Sequence, residues 1–140
     1  MNELISIKNR LKKFDECLSI LKGIRDNISL REYVTEPFYY STGERNLQLA
    51  IEILLDIGNF IISRAGFRQP ESYSDILQIL KEQGILSSNL LQKIEKLPAF
   101  RNLLVHEYLI IDREIVYKKI LTQLPDLENL MLTFVDYLKL

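Results

Sequence analysis

The chain holds a single histidine, His106, so any imidazole chemistry rests on it and on the residues around it. Those residues read Phe100-Arg101-Asn102-Leu103-Leu104-Val105-His106-Glu107-Tyr108. An imidazole with an ordinary pKa near ~6.5 can give or take a proton at neutral pH. A guanidinium presents a planar fork of donors suited to anionic oxygens. On an α-helix, residues five apart lie about 140° apart around the axis, so Arg101 and His106 do not share a face. Asn102 and His106, one turn apart, do share one, as do Arg101 and Tyr108, two turns apart. Arg101 and His106 therefore converge on one substrate only if it spans the helix edge, if the helix is distorted after Pro98, or if a second subunit contributes. Taken by its setting alone, a histidine at the end of an apolar helix reads as a hydrogen-bonded structural residue.

The elements that must position these residues read as helices. Leu4, Ile7, Leu11, Phe14, Leu18, Leu21, Ile24 and Ile28 recur at steps of three and four, one face of a long first helix. A second long helix begins near Thr42, with Pro37 compatible with its first turn, and stops at Gly66. Ser72 or Ser74 caps a short helix closed by Gly84, and Ser87 or Ser88 caps the next, which runs through Pro98 towards Leu109 with a kink at the proline. Asp112 caps the last segment, where Pro125 marks a break or the start of a further piece. No segment alternates as a strand does. The expected fold is all-α, an antiparallel bundle of about five or six helices forming a single domain over residues 1–140.

On the second helix Arg45, Gln48, Glu52, Asp56, Asn59 and Ser63 form one narrow polar stripe, and nearly everything else there is apolar. The stripe reads either as a strip of solvent-facing positions or, with Arg45, Glu52 and Asp56, as the lining of a polar cleft. So much apolar circumference asks for several neighbours, more than one chain of this size readily supplies. It predicts a homodimer joined through the long helices.

Composition narrows the function classes. Hydrophobic residues make up 47% and charged residues 26%, a balance that folds rather than one that stays disordered. A formal net charge of -1 argues against a broad basic surface, so any RNA contact is local. The one cysteine, Cys17, has no intrachain partner, and the amino terminus lacks a secretory pattern, which together predict a cytoplasmic protein. The most apolar stretch, Ile51 to Ile62, is interrupted by Glu52, Asp56 and Asn59 and is too short for a membrane span.

Four segments carry a family resemblance: Arg45 to Glu52, Asp56 to Asn59, Ser72 to Asp75 and, above all, Phe100 to Tyr108. Together they are similar to the HepT-like family of the HEPN clan over more than half the chain. Members of that family carry R-x-x-x-x-H, with a polar residue commonly after the arginine, and the HepT branch extends it to R-x-x-x-x-H-x-Y. Here those positions are Arg101, Asn102, His106 and Tyr108, and none is missing. The resemblance implies a metal-independent endoribonuclease without a cofactor, the toxin of a toxin–antitoxin pair, dimeric, with its site in the cleft between subunits. Its implied partners are a second copy, an RNA substrate (tRNA and mRNA being candidates) and a minimal nucleotidyltransferase antitoxin that attaches adenylate groups to Tyr108.

The chemistry is consistent with that resemblance. RNA is cleaved when its own 2′-hydroxyl attacks the adjacent phosphate, which needs a base, an acid and a cation. In this scheme His106 is the acid or base, Arg101 holds phosphate oxygens, Asn102 orients His106 from the preceding turn, and Tyr108 bonds or stacks on substrate. One chain supplies one imidazole and an isologous dimer supplies two. Two readings compete: a non-catalytic helical module that binds a nucleotide or the partner enzyme, and a purely structural helical dimer.

Overall fold

The computed structural model describes residues 2–140. Within them the chain forms α1 (Asn2–Asn27), α2 (Leu30–Thr35), α3 (Pro37–Ala65), α4 (Tyr73–Glu82), α5 (Ser88–Ile94), α6 (Leu97–His106) and α7 (Arg113–Leu138), with no strand among the described residues. The all-α class is as the sequence predicts. Six helices have seven or more residues, and the seventh, α2, is a six-residue piece not anticipated. A capping box creates it: Ser29 Oγ accepts from the Glu32 N–H, and Glu32 Oε1 accepts from the Ser29 N–H. Tyr33 then buries completely against Tyr117, ring centroids 5.3 Å apart.

Caps decide most other boundaries. Ser72, Ser87 and Asp112 each accept backbone N–H groups at the starts of α4, α5 and α7. Gly66 ends α3 in the left-handed region at φ 72°, where a residue without Cβ is unstrained. Helix α3 begins five residues earlier than Thr42, at Pro37, with Glu36 as its cap.

Two prolines behave differently from expectation. The helix from Ser88 does not run on with a kink, but stops at Ile94, and a new helix starts at Leu97. Pro98 has no N–H to give the Ile94 carbonyl and its ring crowds that carbonyl, so α5 ends four residues ahead of it. The same proline suits the first turn of α6. Helix α6 then ends at His106, short of Leu109. Pro125, by contrast, neither breaks nor divides α7. Pro125 and Leu121, one turn before it, both lie on the exposed side, so the carbonyl left without a helical donor faces water.

Helix α3 is the hub, packing on α1, α2, α4, α6 and α7. Leu47, Ala50, Ile51, Ile53, Leu54, Leu55, Ile57, Ile61 and Ile62 are all buried within the one chain. By length and composition α3 is apolar enough to cross a bilayer, contrary to the reading of Ile51 to Ile62, but those residues sit in the bundle core. The covering of α3 by its own chain also removes the reason given above for a dimer. The neighbours it needs are α1, α2, α4, α6 and α7. Cys17 is free and fully buried, and burial raises its thiol pKa.

Candidate functional site

Helix α6 is anchored by Leu97 and Leu104, which are buried and lie seven apart on one face. Arg101 falls between them on that same face, so it points inward to α3. There it meets Glu52: Arg101 Nε donates to Glu52 Oε1 at 2.9 Å, and Nη2 makes an ion-pair contact of 2.8 Å with the same oxygen. The pair is largely shielded, with 18% of the Arg101 side chain and 27% of the Glu52 side chain exposed. Gln48, one turn earlier on α3, donates its Nε2 to the same oxygen at 3.0 Å. Arg101 Nη1 donates to Asn102 Oδ1 at 3.1 Å, and the guanidinium carbon lies 5.4 Å from the Tyr73 ring centroid. Two of the five guanidinium N–H groups are thus hydrogen-bonded, which leaves three, on Nη1 and Nη2, without a hydrogen-bond partner among the described residues.

His106 is the last residue of α6 and is exposed. It sits about 180° around the helix from Leu97 and therefore away from α3. Because Pro98 lies in the first turn and α6 is continuous to His106, helix distortion does not bring Arg101 and His106 together. Two routes to convergence remain, a substrate that wraps the helix edge and a second subunit. Asn102 bonds to Arg101, not to His106 as the sequence reading expects. Tyr108 lies beyond the helix end, 69% exposed, beside Leu109 at 86% and Ile110 at 77%.

Of the three stripe residues expected to line a cleft, only Glu52 touches Arg101. Asp56 pairs instead with Arg10 of α1 at 3.5 Å, and Arg10 also bonds Ser6. Arg45 is exposed on α3 and no hydrogen bond or ion pair links it to Arg101 among the described residues. Gln48 and Tyr73 are site residues that went unassigned, although the one-turn spacing of Gln48 and Glu52 signals the first. No group of three or more His, Cys, Asp and Glu side chains gathers as metal ligands among the described residues.

An inward arginine held by a carboxylate, followed by an exposed histidine and tyrosine at the helix end, puts the four motif positions on one helix and the turn beyond it. Residues 14–134 match the family described as ribonuclease HepT-like. The chain belongs to the ribonuclease HepT-like family. A tRNA nuclease HepT of Aphanizomenon flos-aquae is 33% identical over 120 residues, covering 84% of this chain and 80% of that one. Among solved structures, YutE, a cytosolic protein of Bacillus subtilis, superposes with a TM-score of 0.83 at 26% identity, covering 96% of this HepT-like chain and 89% of YutE. A tri-AMPylated HEPN toxin of Shewanella oneidensis, in complex with its MNT antitoxin, superposes with a TM-score of 0.81 at 22% identity, covering 91% and 94%. This last likeness is one of fold.

Proposed function

We propose that this HepT-like chain is a metal-independent, cytoplasmic endoribonuclease toxin, acting as a homodimer and silenced when a nucleotidyltransferase antitoxin adenylates Tyr108. The observation that carries the reading is the intact motif on α6, with Arg101 held in place by Glu52 while His106 and Tyr108 stand exposed at the helix end. In the reaction, the 2′-hydroxyl attacks the adjacent phosphorus, a base takes its proton, and the 5′-oxygen leaves with a proton from an acid. His106 serves as base or acid and its symmetry mate as the other. The N–H groups of Arg101 that remain on Nη1 and Nη2 take the phosphate oxygens that gain charge.

A dimer meets the geometric requirement left by the monomer, since Arg101 faces inward and His106 outward on α6. The exposed apolar side chains Leu103, Leu109 and Ile110 at the end of that helix favour an interface there, not on the covered face of α3. Adenylation of Tyr108 would place bulk and negative charge where the substrate phosphate must enter.

The test is cleavage of RNA by purified protein. His106→Ala and Arg101→Ala abolish cutting, EDTA leaves it unchanged, and light scattering at micromolar concentration shows a dimer. Undiminished cleavage by His106→Ala, or loss of cleavage in EDTA, overturns the chemistry, and a monomer overturns the shared cleft.

A further inference from the structure

Next to Arg101, on the side of α4, lies a recess of about 340 Å³ that the motif does not use. Tyr73, the first residue of α4, belongs both to this recess and to the Arg101 contact, 5.4 Å from ring centroid to guanidinium carbon. Tyr73 is 46% exposed, so it is not a core residue. We propose that this recess is a nucleobase subsite, in which a base of single-stranded RNA stacks on Tyr73 while an adjoining phosphate engages Arg101. The proposal rests on the ribonuclease reading for the identity of the polymer.

The lining suits a base and not a phosphate. Glu71 contributes a carboxylate that repels an anion, and Pro70 adds an apolar wall. Asn59 and Gln69 are exposed there with carboxamides that make no side-chain hydrogen bond to the described residues, and each offers a donor pair and an acceptor to a base edge. Ser72 Oγ accepts the Asp75 N–H as the helix cap, which leaves its own hydroxyl proton free to donate into the recess. Single-stranded RNA is recognised in this way, by stacking unpaired bases on aromatic rings and bonding their edges. The short separation of ring and guanidinium lets a phosphate on Arg101 keep its own or the next base at the ring. A chain with net charge -1 has no broad basic track for the backbone, so a base contact of this kind adds affinity that phosphate contacts do not supply.

The chain contains no tryptophan, so Tyr73→Trp installs a unique fluorophore in the recess. Titration with a single-stranded 2′-O-methyl oligoribonucleotide, which has no hydroxyl to drive cleavage, quenches its emission, and an abasic oligomer of equal length does so at least about tenfold less tightly. In otherwise unaltered protein, Tyr73→Leu weakens binding of the same oligomer by about tenfold or more, whereas Tyr73→Phe stays close to wild type. Thermal melts establish that each variant is folded. Equal binding of the abasic oligomer, or a folded Tyr73→Leu protein that binds like wild type, overturns the subsite. Because the probe cannot be cut, stacking without cleavage of ordinary RNA keeps the subsite and sinks the ribonuclease reading. Cleavage of ordinary RNA without stacking does the reverse.

Discussion

Arg101 and Glu52 meet through one oxygen: Nε of the guanidinium donates to Glu52 Oε1 at 2.9 Å, and Nη2 pairs with the same oxygen at 2.8 Å. The contact joins residues 49 positions apart on α6 and α3. It fixes the plane of the guanidinium and also offsets part of its charge. These two effects have opposite consequences for substrate, which lets them be separated.

Glu52→Ala removes both. Arg101 loses its orientation, and the cleavage rate constant falls by up to about 10²-fold, the scale expected for a misplaced catalytic group. Glu52→Gln keeps an oxygen acceptor but not the charge, so it retains most of kcat and lowers KM for RNA. Steady-state cleavage assays on the two variants distinguish them. A Glu52→Ala protein with wild-type kcat rules out a positioning role.

Tyr108 is exposed beyond the end of α6, where an acceptor hydroxyl is accessible to another enzyme. Tyr108→Phe preserves the ring and deletes the only atom that can be modified. Incubated with the partner nucleotidyltransferase and ATP, wild type gains mass in adenylate units and Tyr108→Phe does not. Mass gain that persists in the variant, or maps to Tyr117 or Tyr137, shows that the acceptor lies elsewhere.

Two glycines within helices are expected to respond in opposite directions to alanine. A Cβ at Gly43 would lie 2.5 Å from the Tyr33 hydroxyl oxygen and 2.7 Å from its ring, and that side chain is fully buried. Overpacking outweighs the helix-propensity gain, and Gly43→Ala destabilises by about 1–3 kcal/mol. Gly23 has nothing within 4 Å of such a Cβ, so Gly23→Ala stabilises by about 0.5–1 kcal/mol. Urea midpoints read both, and a stabilised Gly43→Ala contradicts the packing around Tyr33.

Arg68 clamps Asp75 at 2.7 and 2.8 Å and Glu82 at 3.1 and 2.9 Å, holding the loop after α3 against α4. The Arg68 guanidinium first, and the Glu71 N–H second, hold the Asp75 carboxyl at about 2 against an ordinary 3.8. A carboxylate depressed in the folded state stabilises the fold above its unfolded pKa, and that contribution is lost as pH falls through the folded value. Asp75→Asn therefore lowers Tm at pH 7, and its gap to wild type closes between pH 3.8 and about 2. Calorimetry across that interval checks it, and a gap that does not change with pH speaks against the clamp.

Local chemistry was enough to read much of the chain. Apolar periodicity marked α1 and a narrow polar stripe marked α3, while Asp112, Gly66 and one serine of each pair Ser72/Ser74 and Ser87/Ser88 marked boundaries, because a cap satisfies backbone groups only a few residues away. The motif Arg101, Asn102, His106 and Tyr108 was likewise legible, since it is contained in eight consecutive residues. The prolines were harder. Pro98 and Pro125 have the same local effect, and what separates them is whether the orphaned carbonyl can turn to water and whether a new helix start is packed in place.

Tertiary structure alone decided the pairings. The polar stripe of α3 gave no sign that Glu52 would face Arg101 while Asp56, one turn on, would face Arg10. That choice depends on how α1 and α6 dock on either side of α3, a matter of packing between segments far apart in sequence. The same docking covers α3 within one chain, so the apolar circumference of that helix no longer argues for a second subunit. Periodicity determines which residues of a helix share a face, but it does not say which neighbour that face meets, because the burial that selects the neighbour is summed over the whole core.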